Sequence, residues 1–292
     1  MGSSIITGKT RICGLIGDPV EHTVSPAMHN AAFKKLGLDF LYLPFRVKPE
    51  ALGEAVAGLR ALNIIGFNVT IPHKVAVIPL LDSLDPLAEK IGAVNTVVNK
   101  DGELRGDNTD GPGFLQALLG RGVEVGGKNT VLLGAGGAAR AIAYILAEEG
   151  ANLTILNRQL EIDQAEALAR DIAEDFRQAA GVMELGDENL KKALEKADML
   201  VNATSVGMSP ERDATPVPAH LLKSALVVFD IVYHPMKTRL LKEAEAAGAR
   251  TINGVDMLAW QGALAFEKWT GQKAPLDLMR KEAMKALQKH ED

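Results

Sequence analysis

A glycine-rich turn near the middle of the chain constrains the fold more than any other feature. It spans residues 134–139 and reads GAGGAA, which has the form G-x-G-x-x-A. The apolar run before it predicts a strand at 130–133, and the residues after it predict a helix at 140–149 and a second strand at 152–156. A strand, glycine turn, helix and second strand at this spacing predict a βαβ unit that binds a dinucleotide.

The glycines of this turn have a direct physical use. Gly134 and Gly136 allow phosphate oxygens to come close to main-chain N–H groups, and the helix N-terminus adds partial positive charge. The alternative is a tight turn that binds nothing, which the flanking strand and helix disfavour. We therefore expect a cofactor at residues 134–138.

The end of the second strand indicates which dinucleotide binds. An NAD site usually carries Asp or Glu here for the ribose hydroxyls, but this strand ends in Asn157-Arg158 and has no carboxylate. The charge and planar fork of an arginine match a 2′-phosphate, which favours NADP. The alternative interpretation of Arg158 is an ordinary solvated surface arginine.

A second motif, GFNVTIPHK, covers residues 66–74. Asn68 and Thr70 lie two residues apart after an apolar run, so both side chains project to one face of a predicted strand. Pro72 suits the first position of a helix, which would put Lys74 on the first turn. A cation is unfavourable at a helix N-terminus, and this favours a functional role for Lys74 over a surface position.

Three further segments place polar side chains at predicted strand ends. They are HTVSP at 22–26, GAVNT at 92–96 and GDNTDG at 106–111. Ser25 before Pro26 also predicts a helix start with the serine as its cap. Together with the 66–74 motif they offer hydroxyls, amides, an ammonium and a carboxylate, which suit a small polyhydroxylated acid.

Composition limits the other possibilities. The 292 residues allow two domains, and a net charge of −5 gives no reason to expect nucleic acid. Cys13 is the single cysteine, which fits a reducing cytoplasm, and the N-terminal segment MGSSIITGKT has no apolar signal core. No apolar run reaches the length of a membrane span, so no membrane partner is expected, and the histidines show no metal-ligand spacing.

The ordered set of segments resembles the shikimate dehydrogenase family, which includes shikimate and quinate dehydrogenases. The resemblance runs from about Cys13 to the last helix and includes NGVDMLAWQ at 253–261. It implies an α/β fold: an N-terminal catalytic α/β domain, a Rossmann-type NADP-binding domain, and C-terminal helices that return to the first domain. The implied boundaries are 1–111 plus 255–292 for the catalytic domain and 112–254 for the NADP domain.

The resemblance also implies an activity and the residues that perform it. The enzyme would interconvert 3-dehydroshikimate and shikimate with NADP in the cytoplasm, with a homodimer as an open option. Lys74 and Asp110 match the catalytic pair. Positions that match substrate contacts are Thr23, Ser25, Thr70, Lys74, Asn95, Asp110, Tyr233 and Gln261. Positions that match the cofactor side are Gly134, Ala135, Gly136, Gly137, Ala138, Asn157, Arg158, Ile231 and Gly254.

The chemistry of these residue types agrees with that activity. When hydride leaves an alcohol carbon, a proton must leave the oxygen, and a lysine can take it where its surroundings favour the neutral amine. Asp110 can hold the reacting hydroxyl and share its proton. Its alternative role is to cap the helix that follows, and both roles are compatible.

Two positions depart from the family pattern. Thr23 stands where the family often has serine, and Ile162 lies near the place of a second NADP arginine. A quinate or dual shikimate/quinate dehydrogenase that uses NAD or NADP therefore stays open. A catalytically silent nucleotide or shikimate sensor is a further alternative, and the presence of Lys74 and Asp110 counts against it.

Overall fold

The computed structural model describes residues 6–291 of the chain. Residues 1–5, on which the expectation about export partly rests, lie outside the described residues. The chain divides into two compact units. The first ends at Thr109 and resumes at Ala259, and the second runs from Asp110 to Leu258.

Helices and strands alternate along most of the chain. The strands are β1 (Arg11–Gly17), β2 (Phe40–Arg46), β3 (Gly66–Val69), β4 (Ser83–Leu84), β5 (Thr96–Lys100), β6 (Glu103–Asp107), β7 (Asn129–Leu133), β8 (Asn152–Asn157), β9 (Gly181–Glu184), β10 (Met199–Asn202), β11 (Val227–Asp230) and β12 (Arg250–Asn253). The α-helices are α1 (Ser25–Lys35), α2 (Leu52–Ala61), α3 (Pro86–Ile91), α4 (Asp110–Leu119), α5 (Gly137–Glu148), α6 (Ile162–Phe176), α7 (Asp187–Leu194), α8 (Arg239–Ala246), α9 (Gly254–Thr270) and α10 (Leu276–Glu291). The unit boundary near the C-terminus falls inside α9.

The first unit contains a mixed six-stranded sheet with the strand order β2-β1-β3-β5-β6-β4. Strand β1 is parallel to both β2 and β3, whereas β5 is antiparallel to β3 and β6. Ile16, Phe67, Val69 and Val97 are almost fully buried in the core on this sheet. Because β1 and β3 are parallel neighbours, the loops that follow them leave the same edge of the sheet.

The second unit contains a wholly parallel six-stranded sheet with the order β12-β11-β10-β7-β8-β9. This is the strand order of a Rossmann fold, so the prediction of such a fold is confirmed. The order reverses between β7 and β10, which is where this class of sheet binds its ligand at the carboxyl ends of the strands. Leu133, Leu156 and Leu200 fill the core beneath that edge.

Two local predictions about helices are wrong. No α-helix begins at Pro72: the segment after Thr70 forms turns, followed by a short 3₁₀ turn at Ile78–Leu80. The reason is that the Lys74 carbonyl accepts the N–H of Val94 at 2.8 Å and is not used by a helical turn.

The other difference is smaller. Ser25 is the first residue of α1 and makes no side-chain capping bond, because Val24 occupies the cap.

Candidate active site

A buried polar cluster lies at the ends of β3, β5 and β6 in the first unit. Asn95 is its centre and is 2% exposed. Its Oδ1 accepts the main-chain N–H of Thr109 at 2.7 Å, and its Nδ2 donates to the Thr109 hydroxyl at 3.0 Å. The same Nδ2 also lies 3.5 Å from Oε1 of Gln261 on α9. Two of the predicted substrate residues, Asn95 and Gln261, are thus in contact.

A second amide extends this cluster into the core. Asn68 on β3 donates from Nδ2 to the Thr96 hydroxyl at 3.1 Å and to the Asn95 carbonyl at 3.2 Å. Its Oδ1 accepts the hydroxyl proton of Tyr42 at 2.7 Å. Burial raises the pKa of Tyr42, so its hydroxyl stays protonated and remains a donor. Asn68 is therefore held in one orientation by partners on three strands or strand ends.

The loops after β1 and β3 lie side by side, as their parallel pairing requires. The Thr70 N–H donates to the Ile16 carbonyl at 3.0 Å, and the Asp18 N–H donates to the Ile71 carbonyl at 2.9 Å. A side chain at Gly17 would collide with the methyl group of Thr70. Thr70 thus stands at the same sheet edge as the loop that carries Thr23 and Ser25.

Thr23 and Ser25 are coupled to each other. The Thr23 hydroxyl accepts the Ser25 N–H at 3.3 Å, which is an ST-type turn before α1. The Ser25 side chain is almost fully buried and hydrogen-bonds to the hydroxyl of Tyr42. Tyr42 therefore links the predicted carboxylate-binding serine to Asn68.

Lys74 lies in the turn after Thr70 and is half-buried. The turn is held on both sides of the lysine. His73 is buried, and its Nε2 lies 2.6 Å from the Val47 carbonyl oxygen. Because a carbonyl oxygen can only accept a hydrogen bond, Nε2 is the donor. The Lys74 carbonyl accepts the Val94 N–H, one residue before Asn95. The lysine backbone is therefore tied to the segment that carries the polar cluster.

Asp110 follows Thr109 directly and is the first residue of α4. Asp110 is 6% exposed. Since the Thr109 N–H is bonded to Asn95, the backbone just before Asp110 is fixed by the polar cluster. Tyr233, the remaining predicted substrate residue, lies in the second unit beyond β11, and burial raises its pKa.

The glycine turn of the second unit has the shape that a dinucleotide needs. Gly134 follows β7 with φ +101°, a left-handed conformation that favours glycine, and its N–H donates to the Leu156 carbonyl at 2.8 Å. Gly136 is the N-cap of α5, and a Cβ at this position would stand in open space before the helix. That space, in front of unpaired main-chain N–H groups, fits a pyrophosphate.

The end of β8 supplies the residues expected beside the adenosine ribose. Asn157 is buried and its Nδ2 donates to the Glu161 carbonyl at 2.7 Å. The Arg158 side chain is 71% exposed and forms an ion pair with the Glu161 carboxylate at 2.8 Å. Arg158 directly follows the end of β8, and an exposed guanidinium at this position suits a 2′-phosphate.

A buried carboxylate at the carboxyl edge of the second sheet accepts hydrogen bonds from two neighbouring side chains. Asp230, at the end of β11, accepts hydrogen bonds from Asn202 Nδ2 at 2.9 Å and from the Thr238 hydroxyl at 2.6 Å. Burial raises the pKa of Asp230 to about 6. The Ile231 N–H donates to the Asn202 carbonyl, and a side chain at Gly254 would collide with the Ile231 carbonyl. Only glycine therefore fits at 254.

Three family models match the chain in sequence. They are the shikimate dehydrogenase substrate binding domain at residues 15–97, shikimate / quinate 5-dehydrogenase at 118–232, and the shikimate 5′-dehydrogenase C-terminal domain at 254–284. A relative from Desulforamulus reducens, shikimate dehydrogenase (NADP(+)), is 50% identical over 96% of this chain and 97% of its own length. The chain belongs to the shikimate dehydrogenase family.

Solved structures of shikimate dehydrogenases have the same fold. One in complex with NADP+ is 45% identical, with a TM-score of 0.91 and coverage of 97% of each chain. The enzyme from Listeria monocytogenes, solved with shikimate and NAD, is 44% identical, with a TM-score of 0.88 over 94% of this chain and 97% of its own.

Several polar residues of this family member were not singled out as site residues from sequence. Tyr42, Thr96, Thr109 and Asp230 are buried and hydrogen-bonded to predicted site residues or to the loops beside them. Thr96 and Thr109 occur in the quoted segments, and polar residues next to a strand end are a usable signal. Tyr42 lies between apolar residues within β2, so its position in the sequence does not mark it as a site residue.

Across residues 6–291, no group of three or more His, Cys, Asp or Glu side chains is arranged to hold a metal ion. Over the same range, no helix is both long and apolar enough to cross a bilayer.

Proposed function

We propose that this chain catalyses the NADP-dependent, reversible reduction of 3-dehydroshikimate to shikimate. The observation that carries the proposal is the polar cluster of Asn95, Thr109 and Gln261, in which Thr109 directly precedes Asp110 in the chain. Preorganised amides and hydroxyls recognise a polyhydroxylated substrate and reject analogues that lack its hydroxyls. The family match and the glycine turn support the choice of reaction and cofactor.

In this proposal the nicotinamide, when bound, supplies or accepts the hydride. Thr23 and Ser25 bind the substrate carboxylate through their hydroxyls. Thr70, Asn95, Tyr233 and Gln261 hold the ring hydroxyls by hydrogen bonds. These contacts orient the substrate, and a fixed orientation lowers the entropic part of the barrier.

Lys74 and Asp110 are proposed as the catalytic residues. The ε-amino group of Lys74 takes the proton from the reacting hydroxyl in one direction and returns it in the other. Asp110 orients that hydroxyl and shares its proton. The hydrogen bonds of His73 to Val47 and of Lys74 to Val94 support this role, because they fix the turn that carries the lysine.

Gly134 to Ala138 are proposed to hold the pyrophosphate, and Asn157 with Arg158 the phosphorylated ribose. Ile231 and Gly254 are proposed to flank the nicotinamide end.

We further propose residues 1–111 with 255–292 as the catalytic domain and 112–254 as the NADP domain. A homodimer in the cytoplasm is also proposed, and light scattering of the purified chain tests the dimer.

The function is tested by following shikimate-dependent formation of reduced cofactor with NADP and with NAD. Quinate replaces shikimate in a parallel series. We expect the largest kcat/KM for shikimate with NADP. No turnover with any of the four combinations would refute the dehydrogenase activity and support a silent sensor.

A second candidate is a dual shikimate/quinate dehydrogenase. It is favoured by Thr23 in place of the common serine and by the single arginine at the cofactor site. A kcat/KM for quinate within about tenfold of that for shikimate, a difference of about 1.4 kcal/mol, would identify the dual enzyme.

A further inference from the structure

The guanidinium proposed to bind the 2′-phosphate is held by a neighbouring carboxylate. Arg158 Nη2 lies 2.8 Å from Oε1 of Glu161, and Arg158 Nε lies 3.3 Å from Oε2. Both carboxylate oxygens therefore face the planar fork, in the two-point geometry that phosphate would use. The contact engages the same guanidinium edge that a phosphate needs.

The backbone keeps this carboxylate at the end of β8. Asn157 Nδ2 donates to the Glu161 carbonyl at 2.7 Å, and the Glu161 N–H donates to the Arg158 carbonyl at 2.9 Å. These bonds close the 3₁₀ turn Gln159–Glu161. Because the backbone of Glu161 is fixed, its side chain always starts from a point within reach of Arg158.

The residue after the pair offers no compensating charge. Ile162, which begins α6 directly after Glu161, is uncharged. Arg158 and the 3₁₀ turn that follows it thus present one arginine and one glutamate, and the two charges cancel. The NADP phosphate carries a charge that the 2′-hydroxyl of NAD lacks, so the glutamate repels only NADP.

We propose that Glu161 is a positioning residue that competes with the 2′-phosphate for Arg158 and so narrows the preference for NADP over NAD. This inference rests on the role proposed above for Arg158. The neutral 2′-hydroxyl of NAD, by contrast, can donate a hydrogen bond to a carboxylate. Glu161 therefore disfavours one cofactor without disfavouring the other.

The test is Glu161→Gln, with calorimetric Kd values and steady-state KM values for NADP and for NAD. An exposed pair of this kind is worth up to about 1 kcal/mol, so the Kd and KM for NADP should fall about fivefold. The values for NAD should stay the same or rise. A merely structural effect would change the Kd and KM values for both cofactors in the same direction.

Glu166→Gln is the matched control. Glu166 lies on α6 and pairs with Arg170, whose Nη1 is 3.9 Å from Oε2 of Glu166, and both side chains are exposed. The control makes the same change of charge on the neighbouring surface. If Glu161→Gln shifts the NADP to NAD ratio no more than Glu166→Gln does, the inference is wrong.

Arg158→Ala and the double variant Arg158→Ala/Glu161→Gln separate this inference from the role of Arg158. If Arg158→Ala weakens NADP selectively while Glu161→Gln has no effect, the role of Arg158 stands and the inference fails. If Arg158→Ala raises the Kd values of both cofactors equally, the proposed role of Arg158 is itself wrong. The effect of Glu161→Gln should vanish without Arg158, and an undiminished effect would overturn the competition.

Discussion

The indole N–H of Trp269 donates to the main-chain carbonyl of Val97 at 3.0 Å. Trp269 lies on α9 and Val97 on β5, so one buried hydrogen bond fixes where this helix lies on the first sheet. The ring also covers Gly66, where any side chain would collide with it. Gln261 lies about two turns earlier on α9 and reaches Asn95 from that position.

Trp269→Phe should destabilise the protein by about 1–3 kcal/mol, because the Val97 carbonyl loses a buried donor while most apolar surface is kept. The KM for shikimate should also rise, since Gln261 loses its fixed position. Urea unfolding and shikimate kinetics measure the two effects. Trp260→Phe, a half-buried tryptophan on the same helix, is the control. Equal stability of the two variants would contradict the prediction.

Tyr42→Phe removes the hydroxyl that bonds Asn68 at 2.7 Å and also Ser25. We expect a stability loss of about 1 kcal/mol and a KM for shikimate about threefold to tenfold higher, because both polar residues lose a partner. Tyr144→Phe, another buried tyrosine on α5, should leave KM unchanged. A normal KM in the Tyr42 variant would show that this network does not affect the substrate.

Lys74→Ala should lower kcat by about 10²–10⁴-fold and change the KM for shikimate little, as expected when a proton-transfer group is removed. The comparison is Lys100→Ala, at the exposed end of β5. Stopped-flow measurement of hydride transfer shows whether the chemical step itself is slowed. A near-normal kcat would remove Lys74 from the proton transfer.

Stability should depend on pH through His29. This residue is fully buried against Tyr42, with ring centroids 4.4 Å apart, and burial lowers its pKa from 6.5 to about 3. Between these values the unfolded chain binds the proton and the folded chain does not. Stability is therefore lost as pH falls from about 6.5 towards 3, by roughly 5 kcal/mol in total.

His29→Leu removes this proton and fills a similar volume. Its acid unfolding midpoint should move to lower pH, measured by circular dichroism at a series of pH values. His220→Leu, at an exposed position, should leave the midpoint where it is. A His29 variant with an unchanged midpoint would mean that other groups control acid unfolding.

The second sheet was predictable because its strands are short apolar runs separated by helical patterns. The residues expected as strands at 130–133 and 152–156 correspond to β7 and β8. Parallel pairing then follows from the alternation itself, whereas the strand order does not, because doubly wound sheets with different orders share this alternation. The helix expected at Pro72 fails for a reason outside that segment, since Val94 takes the Lys74 carbonyl.

The candidate site was predictable only in part. The strand-end residues were visible as polar side chains after apolar runs, but their partners lie far away in sequence. Nothing in the sequence indicates that Tyr42 bonds Asn68 or that Trp269 bonds Val97, because each bond depends on tertiary packing. The Arg158–Glu161 pair has a spacing of three residues and could have been found from the sequence.

The division of the first unit also has a consequence for synthesis on the ribosome. The unit ends at Thr109 and resumes at Ala259, so its sheet leaves the ribosome long before α9. Until Trp269 emerges, Gly66 stays uncovered and Val97 lacks its donor. The nascent sheet must wait for nearly the whole chain, whereas the second unit can fold as soon as its own strands are made.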